Sequence, residues 1–483
     1  MKVAWLKSHR YLMTVILILL VAAIFRFYHF PNRCGLAYDQ ARDVLVAREA
    51  LRQGKLPLTG PFTSTANVVY GPQWFWLLAL FAAPKLDSVF LPWLMVGLLY
   101  VAIVFLMIKV GDMLGGRELG LLAGALTAFS PLQVWQSLNL TTPNFTALLS
   151  VLAILVMLKY LKTEKSFWAF LLGTIIALAI NIHLQAIGLL FLIPTALILG
   201  RKNRLAALAF LAVGFLLQFI PLLIFELRND FYDLQGVVSY LTFGQYRLEG
   251  QTPWWVYLSS AWPKLWWQTT GGNLWLAYLQ MAGIGFLLAR QLLTKKLPKM
   301  ILALVISFLL IFISLRFYRG AKFESYYAFT QPFILILAAW LVWRIYLWQK
   351  AVAMLFLLAL LFGSWQLNLP FYQVEKNSYS LLKSWQETLV ERFPGRKFSL
   401  YDYEFLSQDK TVSLSLVLAA SGLIDDGGVK IGISRSPESI SKETFYNQSY
   451  SLTDISQIKK ESDKWAFLNP SEVWKATEEW YYK

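Results

Sequence analysis

Residues 11–30 read YLMTVILILLVAAIFRFYHF, and residues 35–55 read GLAYDQARDVLVAREALRQGK. The first stretch is long and apolar enough to cross a bilayer as a helix. The second has apolar residues at helical spacing and a glycine where a helix would stop. Its Asp39, Arg42 and Asp43 are spaced i, i+3 and i+4, so they share one helix face. The order predicts a charged helix at the membrane surface, directly after the first span.

The composition is that of a polytopic α-helical membrane protein. Of 483 residues, 57% are hydrophobic and 16% are aromatic, and apolar runs near spanning length recur along most of the chain. The basic start MKVAWLKSHR precedes an apolar run without a small-residue cleavage site, so we interpret that run as a retained span. The single cysteine, Cys34, excludes an intramolecular disulfide.

The net charge of +16 belongs to the membrane part of the chain. Residues 369–483 contain 14 Lys and Arg against 16 Asp and Glu, which leaves 30 basic and 12 acidic residues in residues 1–368. Lipid head groups and loop orientation explain such an excess better than nucleic acid, which would need a basic patch on a soluble face. Nucleic acid is therefore not an expected partner.

Clusters of Lys and Arg alternate with apolar segments and predict eleven spans. The predicted spans are 11–30, 89–110, 119–137, 145–161, 167–185, 187–200, 205–226, 273–292, 300–315, 328–346 and 351–368. With these spans six basic ends fall on one side, which the positive-inside rule makes cytoplasmic. They are Lys2/Lys7/Arg10, Lys109/Arg117, Lys162/Lys165, Arg201/Lys202/Arg204, Lys295/Lys296/Lys299 and Arg344/Lys350. The sequence thus predicts a multi-pass protein of the cell membrane, with residues 1–368 as the membrane domain and the N-terminus in the cytoplasm.

Three segments are expected outside the membrane. Residues 31–88 form a first external loop that contains PQWFWLLALFAAP, 72–84, which is too short to span and predicts an interfacial or re-entrant helix. Residues 227–272 form a second external loop with five tryptophans in TPWWVYLSSAWPKLWWQTTGG, as in an interfacial belt. Residues 369–483 alternate strand-like and helix-like pieces, which predicts a small extracytoplasmic α/β domain.

The charged helix offers a candidate for acid–base chemistry. Asp39 beside the Arg42 guanidinium is placed to act as a base while the cation holds a phosphate. The alternative is structural: Asp39 caps the helix while Arg42 and Asp43 pair in water. Spacing alone leaves both interpretations open.

Several motifs in order resemble the superfamily of C-type glycosyltransferases (GT-C), close to the bacterial protein O-mannosyltransferase and aminoarabinose-transferase families. The similar segments are AYDQARDVLVAREALRQGKLPLTGP, YGPQWFWLLA, GGRELGLLAGALTAFSPLQVWQSLNLTTPNF, NIHLQAIGLLFLIPTALIL and FESYYAFTQPFILILAAWL. The resemblance implies a GT-C fold, with interfacial helices between the spans. It also implies transfer of a sugar from a polyprenyl-phosphate carrier to an extracytoplasmic acceptor, generally with inversion.

The resemblance assigns the base to Asp39, with Asp43 one turn away as the alternative. The family often has an Asp-Glu pair here, whereas this chain has Gln40, which cannot act as a base. An acidic residue that follows the third span in related enzymes is replaced by Asn139 and Asn144, whose amides can contact sugar hydroxyls. A lysine that meets the donor phosphate in some relatives has no counterpart in VVYGPQW, 68–74, so another cation must serve.

Candidates for donor binding lie in LRFYRGAKFESYY, 315–327. Phosphate and sugar contacts are expected from Arg42, Arg316, Arg319, Lys322, Glu324, Tyr326 and Tyr327. Arginine forks suit a leaving phosphate, and tyrosines stack on sugars or reach their hydroxyls. The alternative for each residue is ordinary interfacial anchoring.

Sugar or acceptor contacts are expected from a second set of polar residues, Gln40, Tyr70, Asn144, His183 and Gln185. For His183, near the external end of a span, a structural role with satisfied hydrogen bonds is the alternative. Glu226, at the start of the second external loop, either shapes the acceptor side or ends a helix in water.

No obligatory cofactor is expected, although a divalent metal held by Asp39 and Asp43 stays open. The resulting hypothesis is an inverting membrane glycosyltransferase whose partners are a polyprenyl-phosphate-linked sugar, membrane lipids, and a glycan, lipid or protein acceptor. One rival is a transporter or flippase of lipid-linked sugars, which predicts inverted repeats and broken helices. The other is a membrane scaffold with a decayed site, which the substitution at Gln40 leaves open.

Overall fold

A computed structural model describes residues 2–63, 68–200, 203–247, 252–319, 322–373, 378–403, 408–434, 444–447, 451–455 and 465–467. The first half contains helices α1 Lys2–Phe27, α2 Phe30–Arg33, α3 Tyr38–Gln53, α4 Gln73–Ala82, α5 Leu91–Gly115, α6 Arg117–Phe129, α7 Pro131–Gln136, α8 Thr142–Thr163, α9 Ser166–Ile182, α10 Leu192–Leu199, α11 Arg204–Leu217, α12 Ile220–Arg228 and α13 Tyr232–Thr242. A 3₁₀ helix, Leu184–Phe191, leads into α10.

The second half continues with α14 Trp254–Val256, α15 Trp262–Thr270, α16 Leu274–Leu293, α17 Lys299–Leu315, α18 Gln331–Trp348, α19 Lys350–Asn368, α20 Tyr379–Arg392 and α21 Gln408–Ala420. Its strands are β1 Phe398–Tyr403, β2 Val429–Ser434, β3 Thr444–Asn447, β4 Ser451–Asp454 and β5 Trp465–Phe467. Further 3₁₀ turns are Gly244–Arg247, Glu324–Thr330 and Leu369–Tyr372, and Tyr257–Ala261 is a π-helical turn.

Within these described residues, six helices are long and apolar enough to cross a membrane, or seven if the bent pair α11–α12 counts as one span. Each of the eleven predicted spans overlaps a helix, but several helices are shorter than a bilayer requires, and the count of eleven stays a prediction. The most apolar windows of α8 and of the candidate span that contains α18 are 83% buried, against 22% in α1 and α16. Helices α8 and α18 therefore form the centre of the bundle, and α1 and α16 its periphery.

Two predicted spans are interrupted. The predicted span 119–137 ends as a helix at Phe129 because Pro131 disfavours helical backbone at the preceding residue, and α7 starts anew. Arg26 of α1, which is fully buried, donates to the carbonyls of Thr127 and Ala128 at this end of α6. A guanidinium thus satisfies helix-end carbonyls that no backbone N–H can reach.

The second interruption is the 54° bend between α11 and α12. The carbonyl of Gln218 at the bend accepts hydrogen bonds from Gln73 Nε2 at 2.6 Å and from Asn181 Nδ2 at 3.4 Å. The break is therefore bonded to α4 and α9, which satisfies the backbone group that the bend leaves without a helical partner.

The short helix α4 is not a simple surface helix. Trp74, Phe75 and Leu78 are completely buried, whereas Leu80 is exposed, and α4 packs against α3. The charged helix α3 consequently rests on an apolar support, which holds it at a fixed position beside the bundle.

The C-terminal strands form one mixed sheet in the order β3-β4-β2-β1-β5. Strands β1 and β2 are parallel, with Phe398 opposite Val429 and Asp402 opposite Ile433, and the other described pairings are antiparallel. Helix α21 packs on α3, and α20 packs on α2. The two helices of this part of the chain therefore lie against the segment from which the charged helix starts.

Candidate functional site

Helix α3 places three charged groups side by side. Its N-cap is Ala37, which has no side-chain acceptor, and the Gln40 side-chain oxygen instead accepts the Ala37 N–H at 3.2 Å. Gly54 ends the helix in the left-handed conformation, which glycine adopts at little cost. Gln40 thus stabilises the first turn, the turn that carries Asp39, and is itself buried.

Arg42 forms a fork between the two aspartates. Its Nη1 lies 2.8 Å from Asp39 Oδ1, and its Nη2 and Nε lie 2.7 Å and 2.9 Å from Asp43 Oδ1. The two carboxylates differ in environment, because the Asp39 side chain is 73% exposed and the Asp43 side chain only 5%. One carboxylate is therefore available to a ligand while the other belongs to the protein interior.

The interior carboxylate has a full set of partners. Trp74 of α4 donates its indole N–H to Asp43 Oδ2 at 2.8 Å, and Arg42 bonds Oδ1. Burial raises the pKa of the Asp43 carboxyl, against the opposite effect of the Arg42 charge and the Trp74 hydrogen bond. Asp43 accordingly orients Arg42, and Arg42 in turn orients Asp39.

The three groups face a cavity of about 270 Å³, called here the Asp39 cavity. Its remaining walls come from Pro61, Phe62 and Tyr70, from residues 140–143, from His183, and from Phe323, Ser325 and Tyr326. The lining thus combines one exposed carboxylate with hydroxyl groups and aromatic rings, which are the side chains that bind sugars and their hydroxyls.

A β-hairpin forms one wall. Gly60 N–H donates to the Tyr70 carbonyl, and Tyr70 N–H donates to the Pro61 carbonyl. The hairpin is attached to the bundle by Gly71 N–H, which bonds the Asn181 carbonyl at 2.7 Å. Its other attachment is the buried carboxylate of Asp233 in α13, which accepts the Val69 N–H. These bonds hold the Tyr70 ring against the cavity.

His183 lies between two tyrosine rings. Its ring centroid is 5.2 Å from that of Tyr70 and 5.0 Å from that of Tyr326. Its Nδ1 lies 3.3 Å from the Thr142 hydroxyl, and its Nε2 is buried without a hydrogen-bond partner among the described residues. The imidazole therefore packs the wall of the cavity as a buried ring between the two tyrosines.

Residues 322–327 separate this cavity from a second one of about 220 Å³, called here the Lys264 cavity. Phe323 and Tyr326 line the Asp39 cavity, whereas Glu324 and Tyr327 line the Lys264 cavity. The pairs Phe323/Tyr326 and Glu324/Tyr327 each share one side because residues i and i+3 eclipse each other in a 3₁₀ helix, which here begins at Glu324. Lys322 precedes this helix and lines the Lys264 cavity, whereas Ser325 lines the Asp39 cavity.

The Lys264 cavity brings together charges of both signs. Lys264 Nζ lies 3.4 Å from Glu324 Oε1, and Lys322 Nζ donates to the Thr252 hydroxyl. The other lining side chains are Tyr257, Trp262, Leu265, Gln268 and Tyr327, with Ala261. Two cations and one carboxylate give this cavity a net positive charge.

The overall fold is similar to that of solved structures. The structure of ArnT from Cupriavidus metallidurans bound to undecaprenyl phosphate aligns over 92% of this chain and 98% of its own length, with a TM-score of 0.62 and 13% identity. The apo structure of that protein gives 0.63 at 14% identity over the same shares. The apo Archaeoglobus fulgidus oligosaccharyltransferase gives 0.54 at 15% identity over 81% of this chain and 59% of its own. The chain has the GT-C fold.

Sequence comparison gives a partial match to one family model and no curated relative. Residues 70–225 match the family described as dolichyl-phosphate-mannose-protein mannosyltransferase, which is less than half of the chain. A search of curated proteins finds no match. The GT-C fold is thus established by structure, with the family match confined to the region from the hairpin to α12.

Five of the seven predicted donor residues do not line the Asp39 cavity of this GT-C fold. Arg316 is buried, with its guanidinium 5.3 Å from the Trp254 ring centroid, and Arg319 lies 4.7 Å from that of Tyr246. Lys322 lines the Lys264 cavity instead. The predicted donor set is therefore divided, and only Arg42 and Tyr326 of that set line the cavity that contains Asp39.

The predicted acceptor set is divided as well. Tyr70 and His183 line the Asp39 cavity, whereas Asn144 is buried and donates to the carbonyls of Gln136 and Asn139. Gln185 donates to the Tyr318 hydroxyl at 2.8 Å. Burial raises the pKa of Tyr70, so its phenol stays protonated at neutral pH and is a hydrogen-bond donor.

Sequence reasoning missed three groups that the GT-C fold brings to the site. Lys264 was assigned only to a tryptophan-rich interfacial segment, and Trp74 only to an interfacial helix. Asp233 was not singled out, yet its Oδ1 accepts the Val69 N–H of the hairpin at 2.6 Å. Glu226 accepts the N–H groups of Asp233 and Leu234, so it caps α13 from a buried position and does not end a helix in water.

The donor atoms at Asp39 and Asp43 are arranged around a guanidinium. Arg42 occupies the position between the two carboxylates that a divalent cation would take. Among the described residues no group of three or more His, Cys, Asp or Glu side chains is placed to hold a metal.

Proposed function

We propose that this protein is an integral-membrane glycosyltransferase that moves a sugar from a polyprenyl-phosphate carrier to an extracytoplasmic hydroxyl, with inversion. The observation that carries the proposal is the exposed Asp39 carboxylate, held by Arg42 in a cavity lined with tyrosines and a histidine. The GT-C fold supports it, as does the bound undecaprenyl phosphate named for the ArnT structure. The site belongs to the outer face of the cell membrane, with the N-terminus in the cytoplasm.

In the proposed reaction Asp39 accepts the proton of the acceptor hydroxyl as its oxygen attacks the anomeric carbon. The bond from that carbon to the phosphate oxygen breaks, and the polyprenyl phosphate leaves with the electron pair. Since a phosphate is already a good leaving group, the protein supplies position, one base and cationic stabilisation.

The two cavities differ in net charge, and each suits a different substrate group. Asp39 and Asp43 outweigh Arg42, so the Asp39 cavity carries a net negative charge and suits a neutral hydroxyl whose proton is to be removed. Lys264 and Lys322 outweigh Glu324, so the Lys264 cavity suits the phosphate. The sugar would bridge the edge formed by residues 322–327, where the Tyr326 ring is available for stacking.

The direct test measures release of polyprenyl phosphate by the purified full-length protein. A panel of polyprenyl-phosphate monosaccharides is supplied with envelope lipids and glycans as acceptors, and products are identified by mass spectrometry. We expect one donor to release its carrier with transfer of the sugar to an acceptor, and Asp39→Asn to lower the rate of that transfer at least about 100-fold while donor binding persists.

The same experiment separates the rivals. A transporter or flippase moves an intact lipid-linked sugar between leaflets of proteoliposomes without releasing the carrier, and a scaffold does neither. The bend between α11 and α12 does not favour transport. Its Gln218 carbonyl, which has no partner within the helix, is bonded to the side chains of Gln73 and Asn181 and is not left for an ion or substrate. Movement of the intact donor without bond cleavage would overturn the proposal.

A further inference from the structure

A third cavity, of about 440 Å³, lies between the end of α16, the start of α17 and the end of α18. We call it the Arg344 cavity. Arg344 is 18 residues beyond Tyr326 along one nearly continuous helical segment, a rise of about 27 Å. The Arg344 cavity thus lies about one hydrocarbon thickness from the Asp39 cavity, at the opposite end of the bundle.

Its charge is entirely positive. Arg290, Lys296 and Arg344 line it, and no Asp or Glu is among the described residues of its wall. None of these three cations takes part in an ion pair within the described parts of the chain. Three cations around one cavity repel each other, and an anion bound between them would remove that repulsion.

Two hydrogen-bond donors in the wall point to the same kind of ligand. Gln291 is only 7% exposed, and its Nε2 has no partner among the described residues. The indole N–H of Trp343 is likewise buried without one. Since a buried donor without an acceptor costs free energy, this wall is suited to a ligand with several acceptor oxygens.

The surroundings indicate that the ligand is a lipid. Leu293 at the end of α16 is 86% exposed and Trp348 at the end of α18 is 85% exposed, so apolar side chains project beside the cavity mouth. Basic pockets between membrane helices are binding sites for anionic head groups. We infer that the Arg344 cavity binds the phosphate head group of an anionic phospholipid, in the leaflet opposite the Asp39 cavity. The inference does not rest on the proposed glycosyltransferase function.

Neighbouring lysines provide a matched test. Lys296 lines the cavity, whereas Lys295 belongs to the same loop, is exposed and is not part of the wall. The full-length protein, Lys296→Gln, Arg344→Gln and Lys295→Gln are purified in detergent and titrated with dioleoylphosphatidylglycerol, dioleoylphosphatidylcholine or inorganic phosphate. Native mass spectrometry measures bound lipid, inorganic phosphate is added as a competitor, and melting temperatures show that each variant is folded.

We expect phosphatidylglycerol to bind the wild-type protein in preference to phosphatidylcholine. Lys296→Gln and Arg344→Gln should each weaken binding about fivefold, from the contribution of one charge near a lipid surface. Lys295→Gln should leave it unchanged. Equal binding of the two lipids, or equal effects of the two lysine variants, would overturn the inference. Displacement of the lipid by millimolar inorganic phosphate would assign the cavity to a soluble anion instead.

Discussion

Replacing each aspartate of α3 by asparagine separates chemistry from support, because both substitutions conserve shape and remove one charge beside the same arginine. In Asp39→Asn the lost carboxylate is largely exposed and Arg42 keeps Asp43 as a partner, so the free energy of unfolding should change by less than about 1 kcal/mol. Loss of a general base typically lowers the rate 10²- to 10⁴-fold. We therefore expect kcat to fall at least about 100-fold, with the KM for the donor little changed.

In Asp43→Asn the lost charge is buried. Arg42 makes two charge-assisted hydrogen bonds to Asp43 Oδ1, and the amide can replace only part of that interaction. Arg42 keeps Asp39 as a partner, so the expected cost is about 2–3 kcal/mol, at or below the lower end for a broken buried pair. Because Arg42 then orients Asp39 less firmly, activity should fall moderately, by about tenfold.

The assay follows carrier release at saturating donor, together with thermal unfolding of each variant in the same detergent. The expected pattern is a stable, inactive Asp39→Asn protein and a destabilised, partly active Asp43→Asn protein. The assignment of the base to Asp39 would be refuted if Asp39→Asn retained more than about a tenth of the wild-type kcat. The reverse pattern, with Asp43→Asn stable and inactive, would transfer the role to Asp43.

Three further predictions concern residues around the site. Lys264→Gln should raise the KM for the donor about tenfold, as expected for one charged hydrogen bond to phosphate, whereas exposed Lys85→Gln should not change it; equal KM values would refute the phosphate assignment. Burial raises the pKa of Asp233 to about 6, above its ordinary 3.8, so its contribution to stability is complete below pH 4 and is lost as the pH rises through 6. The difference in melting temperature between wild type and Asp233→Asn should therefore change between pH 4 and pH 7, and a constant difference would contradict this linkage. Ser413→Ala should accelerate hydrogen exchange of the amides at residues 35–39 by about fivefold or more, because it leaves the Leu36 carbonyl without its donor; unchanged exchange would contradict it.

The charged helix could be predicted from local periodicity, because the pattern that indicates a helix involves only residues three and four positions apart. Asp39 and Arg42 share a face at i and i+3, and the structure places them 2.8 Å apart. The different environment of Asp43 was not predictable, because its partner Trp74 lies 31 residues away on another helix. Long-range packing, and not spacing, decides which of two similar carboxylates is exposed.

The donor segment shows the same limit. Residues 322–327 were correctly placed before a central helix, but a list of adjacent polar residues does not say which way each one faces. The 3₁₀ geometry assigns Tyr326 to one cavity and Glu324 to the other. Lys264 offered no such local signal, because a lysine amid tryptophans near a membrane surface is usual in an interfacial anchor.

How an exposed carboxylate is held in position follows from the backbone that precedes it. The carbonyls of Cys34, Gly35 and Leu36 accept hydrogen bonds from Tyr379 N–H at 3.3 Å, Trp93 Nε1 at 2.9 Å and Ser413 Oγ at 2.9 Å, respectively. Three consecutive residues are thus fixed by three separate elements, α20, α5 and α21.

Two of these three donors come from the C-terminal part of the chain, although it contributes none of the described side chains that line the Asp39 cavity. Since a largely exposed carboxylate has little packing around itself, its position depends on the turn that carries it as well as on its ion pair with Arg42. The C-terminal strands and helices therefore act on the site through the backbone of residues 34–36. Weakening them should lower the rate of the chemical step more than it lowers the affinity for the donor.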